Sequence, residues 1–99
     1  MKNLTLENIT KVCNGVYHGP ADKLQTEVTA ITTDSRKVEE GGLFVPVVGE
    51  RVDAHRFIPQ VMEAGALATL SEKTLEDGAY PYIQVESSLQ AVKDIAEFY

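Results

Sequence analysis

The chain has 99 residues, 43% of them apolar and 24% charged, with a formal net charge of −6. That length makes one domain with one modest core, burying roughly 60–65% of the chain's surface. The acidic balance argues against nonspecific nucleic-acid binding, which needs a basic face, and no run approaches a signal peptide or the ~20 apolar residues of a membrane span.

Leu6, Ile9, Val12 and Cys13 recur at helical spacing, with Thr5 as N-cap and Gly15 as the C-terminal stop. Cys13 is the only cysteine, which leaves no intrachain disulfide and no thiolate metal cluster. Its place on an apolar face makes it a small core side chain, consistent with a reducing, cytoplasmic compartment. Val16 to Gly19 reads as a short strand ended by Pro20, residues 21–26 as a polar loop, and the β-branched run from Val28 to Thr33 as a second strand.

Gly41-Gly42 makes a turn, and Leu43 to Val48 is the most apolar run of the chain. A strand apolar on both faces belongs at the centre of a sheet, although Pro46, lacking an N–H, asks for a local edge or bulge. Pro59 places the next helix, because only the first N–H groups of a helix are free. That helix is expected to begin near Arg56 or Phe57, leaving Gly49 to His55 as a loop. Ile58, Val61 and Met62 supply its buried stripe and Gly65 ends it.

Ala66 to Leu70 is the following strand, Glu72 to Tyr80 a charged connection with room for one helical turn, and Tyr82 to Val85 a strand entered through Pro81. Ser87 with Gln90 forms a capping box that opens the last helix, whose apolar face is Leu89, Val92, Ile95 or Ala96, and Tyr99. Tyr99 lies on that face with no helix-stop signal, the pattern expected of a cut just after a domain. From residue 43 the order strand, helix, strand, strand, helix implies at least one right-handed βαβ crossover in an α/β fold, a small mixed sheet with flanking helices.

Neither a GxxxxGK[ST] phosphate loop nor a GxGxxG fingerprint is present. Polar residues gather instead where two strands end, in Thr32-Thr33-Asp34-Ser35-Arg36 and in Gly49-Glu50-Arg51-Val52-Asp53-Ala54-His55. Strand ends are where α/β domains build ligand sites. Asp53 and His55 with Asp34 could hold a metal or form an acid–base pair, but serve equally well as turn caps. Ser35 has no neighbour placed to act as its base, so it is a turn residue or a hydrogen-bonding partner for a polar ligand. Arg36 and Arg51 are plain surface charges or face a phosphate, which a guanidinium fits in bidentate fashion. Glu50 could accept from a sugar hydroxyl or a base N–H, or hold an arginine in place.

Together, Thr33-Asp34-Ser35-Arg36, Gly41-Gly42, Leu43-Phe44-Val45, Gly49-Glu50-Arg51, Asp53 with His55, and Gly65-Ala66 resemble the N-terminal domain of the Mur ligases. These are the ATP-dependent amide ligases that build the peptidoglycan stem peptide. The strand at Tyr82 to Val85 and the helix at Leu89 to Tyr99 are similar too, so the resemblance covers nearly the whole chain. Within the family, the Gly-Glu-Arg-x-Asp-x-His form looks most like the member that adds D-alanyl-D-alanine to UDP-N-acetylmuramoyl-tripeptide. The alternatives are the same domain of the member adding the third stem residue, or a stand-alone α/β interaction module.

The resemblance implies that residues 1–99 are a single N-terminal domain holding the UDP end of a UDP-N-acetylmuramoyl-peptide. The central ATPase and C-terminal domains would lie outside this chain. Implied substrate contacts are Thr33 and Ser35 against the uridine, the Glu50-Arg51-Val52 loop over the same nucleotide, and Arg36 structuring the site or approaching the diphosphate. Asp34, Asp53 and His55 would support the loops. No catalytic residue, metal or cofactor is expected in this domain; ATP and Mg belong to the full-length enzyme, a cytoplasmic participant in cell-wall synthesis, cell shape and division. Ala54 stands where the family commonly has glycine, and alanine disfavours positive φ, which predicts a local difference in that loop.

Overall fold

A computed structural model describes residues 4–75 and 80–98. In chain order the elements are α1 (Leu6–Val12), β1 (Val16–His18), β2 (Ile31–Thr32), β3 (Leu43–Phe44), α2 (Ile58–Glu63), β4 (Ala68–Ser71), β5 (Tyr82–Gln84) and α3 (Ser88–Phe98), with 3₁₀ turns at Ala21–Lys23, Ser35–Lys37 and Ala54–Phe57. The strands form one five-stranded sheet in the order β1-β5-β4-β3-β2. β1 runs antiparallel to β5, and the other neighbouring pairs are parallel. This is the mixed α/β sheet the sequence predicts.

β3 is an interior strand, between β4 and the edge strand β2, with Leu43 between Ile31 and Ala68, and Phe44 between Thr32 and Thr69. Successive strand residues face opposite sides, so the two side chains enter different cores. Leu43 packs with Leu6 and Ile9 of α1 and Ala91 and Ile95 of α3, whereas Phe44 packs with Ile58 and Val61 around α2. Both are fully buried, which accounts for the unbroken apolar run. The ladder stops soon after Phe44: Val45 N still donates to Thr32 O at 2.9 Å, and then Pro46 has no N–H to offer.

Thr5 caps α1, its Oγ1 accepting from Asn8 N at 3.1 Å. The stop differs from expectation. Asn14 takes the left-handed conformation, with φ of 53°, which asparagine tolerates better than most residues. Gly15 serves close packing instead, since a Cβ there would lie 2.6 Å from Ile83 Cγ2. Cys13 is buried as expected, its Sγ donating to Ile9 O at 2.8 Å, and burial pushes the thiol up to about 11.

β2 is shorter than the run from Val28 to Thr33. Val28 is drawn to Leu4, whose carbonyl accepts its N–H at 3.0 Å, and only Ile31 and Thr32 pair with β3. α2 begins at Ile58 rather than at Arg56 or Phe57, with Pro59 in its first turn. The preceding 3₁₀ turn, Ala54–Phe57, is capped by Asp53, so Ala54 and His55 are helical rather than loop. Ala54 avoids positive φ there, and an alanine at this position is unstrained.

Ser87 caps α3 through Gln90 N at 3.2 Å, but the Gln90 amide turns to Asp94 at 3.0 Å, so half of the capping box forms. The buried face is Ser88, Ala91 and Ile95, with Val92 packed against the core. Of the alternatives Ile95 and Ala96 it is Ile95 that is buried, and only Leu89, 52% exposed, is contrary to expectation. Tyr99 and residues 76–79, including part of the expected turn, lie outside the described residues. Among the described residues no helix is long and apolar enough to cross a membrane.

Candidate functional site

Because β2, β3 and β4 are parallel neighbours, their carboxyl ends lie along one edge of the sheet. The first polar cluster follows β2, the second follows the run that begins with β3, and Glu72 with Lys73 follows β4. Open α/β sheets place ligands beyond such ends.

The first cluster closes on itself. Thr32 Oγ1 accepts from Asp34 N at 3.0 Å, and Asp34 Oδ1 accepts from Arg36 N at 2.9 Å, capping the turn Ser35–Lys37. The Arg36 guanidinium folds back on the same carboxylate, Nε to Oδ1 and Nη2 to Oδ2, each at 3.1 Å. That fork, followed by the Arg36 backbone N–H, holds the Asp34 carboxyl below the usual range. Thr33 is exposed and Ser35 half-buried, and the Ser35 hydroxyl makes no hydrogen bond among the described residues. It is available to a ligand. Arg36, by contrast, meets a ligand with its charge already shared.

The second cluster is a small hairpin. Val48 and Asp53 form an antiparallel bridge, Gly49 N donates to Val52 O at 2.9 Å, and Glu50 and Arg51 are the exposed two-residue tip. Asp53 collects three donors: His55 N at 2.9 Å, His55 Nδ1 at 2.6 Å and Lys73 Nζ at 2.8 Å. Lys73 first, then the His55 backbone and ring, hold the Asp53 carboxyl far below the usual range.

His55 is buried, and its Nε2 lies 2.8 Å from Glu72 N. A backbone N–H can only donate, so Nε2 accepts and carries no proton. Nδ1 therefore carries the proton and donates to Asp53, which fixes the neutral tautomer. Both ring nitrogens are engaged, so the Asp53–His55 pair is a support rather than a free acid–base couple. Glu72 extends the chain of contacts, its carboxylate accepting from Ser88 N at 2.7 Å at the start of α3.

Beside the hairpin lies an open cleft of about 500 Å³, lined by Arg51, Val52, Asp53, His55, Arg56, Lys73 and Leu75. Three cationic side chains face one carboxylate there, so the cleft is locally positive on an acidic protein. Arg56 also sits over the Phe57 ring, 5.5 Å from its centroid. Such a cleft suits an anion.

Of the residues expected at the site, Arg51, Val52, Asp53 and His55 meet at this cleft. Glu50 stands at the hairpin tip outside its lining, and Thr33, Asp34, Ser35 and Arg36 form the neighbouring turn, also outside it. Among the described residues no group of three or more His, Cys, Asp or Glu side chains is placed to hold a metal. Lys73, Arg56 and Leu75 were not anticipated. A signal existed for Lys73, since Ser71-Glu72-Lys73 is a polar run at a strand end, like the other two.

The family model described as "Mur ligase family, catalytic domain" matches residues 27–99. The UDP-N-acetylmuramoyl-tripeptide–D-alanyl-D-alanine ligase of Bacillus subtilis is 34% identical over 97 residues, which cover 96% of this chain and 21% of that protein. A UDP-N-acetylmuramoyl-L-alanyl-D-glutamate–2,6-diaminopimelate ligase from Listeria monocytogenes is 39% identical over 84 residues, 85% of this chain and 17% of that one. A crystal structure of MurF from Acinetobacter baumannii superposes with a TM-score of 0.83 at 30% identity, over 95% of this chain and 20% of that chain. The MurF ligase of Thermotoga maritima, solved in complex with ADP, gives a TM-score of 0.62 at 32% identity over 70% of this chain and 16% of that one. The chain thus spans about a fifth of the length of the curated relatives it matches. With a family model matched over most of its length and a five-stranded mixed sheet shared with these ligases, the chain belongs to the Mur ligase family, as its N-terminal domain.

Proposed function

We propose that this domain holds the UDP end of UDP-N-acetylmuramoyl-tripeptide in a cytoplasmic ligase that adds D-alanyl-D-alanine at the expense of ATP. The observation that carries the reading is the edge where three parallel strands end, with an open serine on one turn and a positive cleft beside the next. The Ser35 hydroxyl and the strand-end backbone near Thr33 suit the donors and acceptors of uracil and ribose. The Glu50-Arg51-Val52 hairpin covers the nucleotide, and Arg51 offers the diphosphate a guanidinium that no ion pair among the described residues occupies. Arg36, held by Asp34, structures the first turn. ATP and Mg act in other domains of the full-length enzyme, and this domain carries out no ligation by itself.

Neutral hydrogen bonds contribute about 0.5–1.5 kcal/mol each and charged ones about 1.5–3. A few of them give a dissociation constant on the order of 0.1–1 mM for UDP alone. Calorimetric titration of the chain with UDP, with ATP and Mg as the control, tests this. UDP binding in that range without an ATP response supports the proposal; ATP binding without UDP binding overturns it.

A second reading is favoured by the diaminopimelate ligases, which reach 39–44% identity over shorter stretches. The domain would then serve the ligase that adds the third stem residue. Supplying the full-length enzyme with D-alanyl-D-alanine or with diaminopimelate, each with its own UDP-linked acceptor, separates the two.

A further inference from the structure

The hairpin that carries Glu50 and Arg51 has little to hold it. Its own bonds are Gly49 N to Val52 O at 2.9 Å and Ala54 N to Val47 O at 3.3 Å. Two strands so short are not stable alone. What fixes the base is a set of contacts from the end of β4. His55 accepts the Glu72 N–H on Nε2 and donates to Asp53 from Nδ1, while Lys73 reaches the other oxygen of Asp53. His55 is 7% exposed, so its two ring hydrogen bonds are largely shielded from water, while the Lys73–Asp53 pair stands at the surface.

We propose that His55, as the neutral Nδ1–H tautomer, is the positioning residue of the Glu50–Arg51 hairpin. It locks the hairpin to the carboxyl end of β4 and so sets where Arg51 and Val52 stand over a bound nucleoside diphosphate. Both ring nitrogens of His55 are already engaged, so it acts on the hairpin through Asp53. The role of the hairpin in ligand binding rests on the function proposed above, whereas the clamp itself does not.

The test uses ¹⁵N-labelled chain and two variants. His55→Phe keeps a ring and removes both nitrogens, and His55→Asn keeps a donor toward Asp53 while losing the acceptor for Glu72. The wild-type imidazole should show a protonated Nδ1, an unprotonated Nε2 and coupling across the hydrogen bond to the Glu72 amide. In both variants, amide exchange at Gly49 and Ala54 should accelerate at least about tenfold, while Leu43, Leu70 and Ile83 keep their protection. The UDP dissociation constant should rise about tenfold in His55→Phe.

A proton on Nε2, or hairpin protection and UDP affinity within twofold of wild type, overturns the proposal. So does loss of protection spread evenly over the sheet in both variants, since His55 would then be a general core residue. If His55→Phe does not fold, the tautomer and His55→Asn decide the matter. If wild-type chain does not bind UDP, the function proposed above fails, while tautomer and exchange still test the clamp.

Discussion

The two polar clusters stand at the ends of neighbouring parallel strands, yet they are held in opposite ways. The turn after β2 is self-contained: Thr32, Asp34 and Arg36 satisfy one another within five residues, and Arg36 is 84% exposed. The hairpin after β3 is held from a distance, by bonds that span 17 residues from His55 to Glu72 and 20 from Asp53 to Lys73. A local turn keeps its shape when the rest of the fold loosens. A loop held through tertiary contacts keeps its shape only while β4 is in place, and so can be moved by changes far from the ligand.

The largest expected effect that would sharpen this contrast is on stability. His55→Ala leaves a cavity, an unpaired Glu72 N–H and a lost partner for Asp53, and should cost about 2–4 kcal/mol in urea unfolding. A loss below about 1 kcal/mol would mean that the hairpin stands without its clamp. Glu72→Ala keeps the backbone bond to His55 but removes the acceptor for Ser88 N, so about 1 kcal/mol should be lost, with faster amide exchange in the first turn of α3.

Acid should act next, and mainly on the hairpin. The folded-state value of the Asp53 carboxyl is depressed below its ordinary 3.8, chiefly by Lys73 and then by the His55 N–H. The ionised form is the one the fold prefers. Its contribution is therefore complete above about pH 4 and is lost as pH falls below that through the depressed value. Asp53→Asn should flatten this acid limb in pH-dependent unfolding, and an unchanged limb would break the assignment. The smallest effect belongs to the first turn: Arg36→Ala should leave the urea midpoint within error, because an exposed ion pair contributes little.

The same contrast explains what could be read from the sequence. Thr5, Pro59 and Gly65 act on backbone within a few residues, and each does what was expected of it: a cap, a first-turn proline and a left-handed stop with φ of 106°. Leu43-Phe44 announced a doubly covered strand because one residue faces each core. The Asp34 turn was legible for the same local reason.

The face of α3 was legible in part: Ile95 is buried and Val92 packs on the core as expected, but Leu89 does not. Ser88, whose N–H is held by Glu72 from another element, is buried with Ala91 and Ile95, whereas Leu89 faces out. The Lys73 contact to Asp53 and the Glu72 contact to His55 were hidden, since they span 20 and 17 residues. The turn ahead of α2 is a local matter. Asp53 takes the turn-cap role open to it, and its carboxylate makes a 3₁₀ turn of Ala54 and His55, which read as loop.

The most direct test of the central claim is an amide chemical-shift titration of the chain with UDP, following the first turn at Ser35 and the hairpin at Arg51 and Val52. One nucleotide held between the two clusters requires both to shift along a single curve, with the same dissociation constant and the rest of the sheet quiet. Shifts centred elsewhere, none at millimolar UDP, or different constants for the two clusters would contradict it.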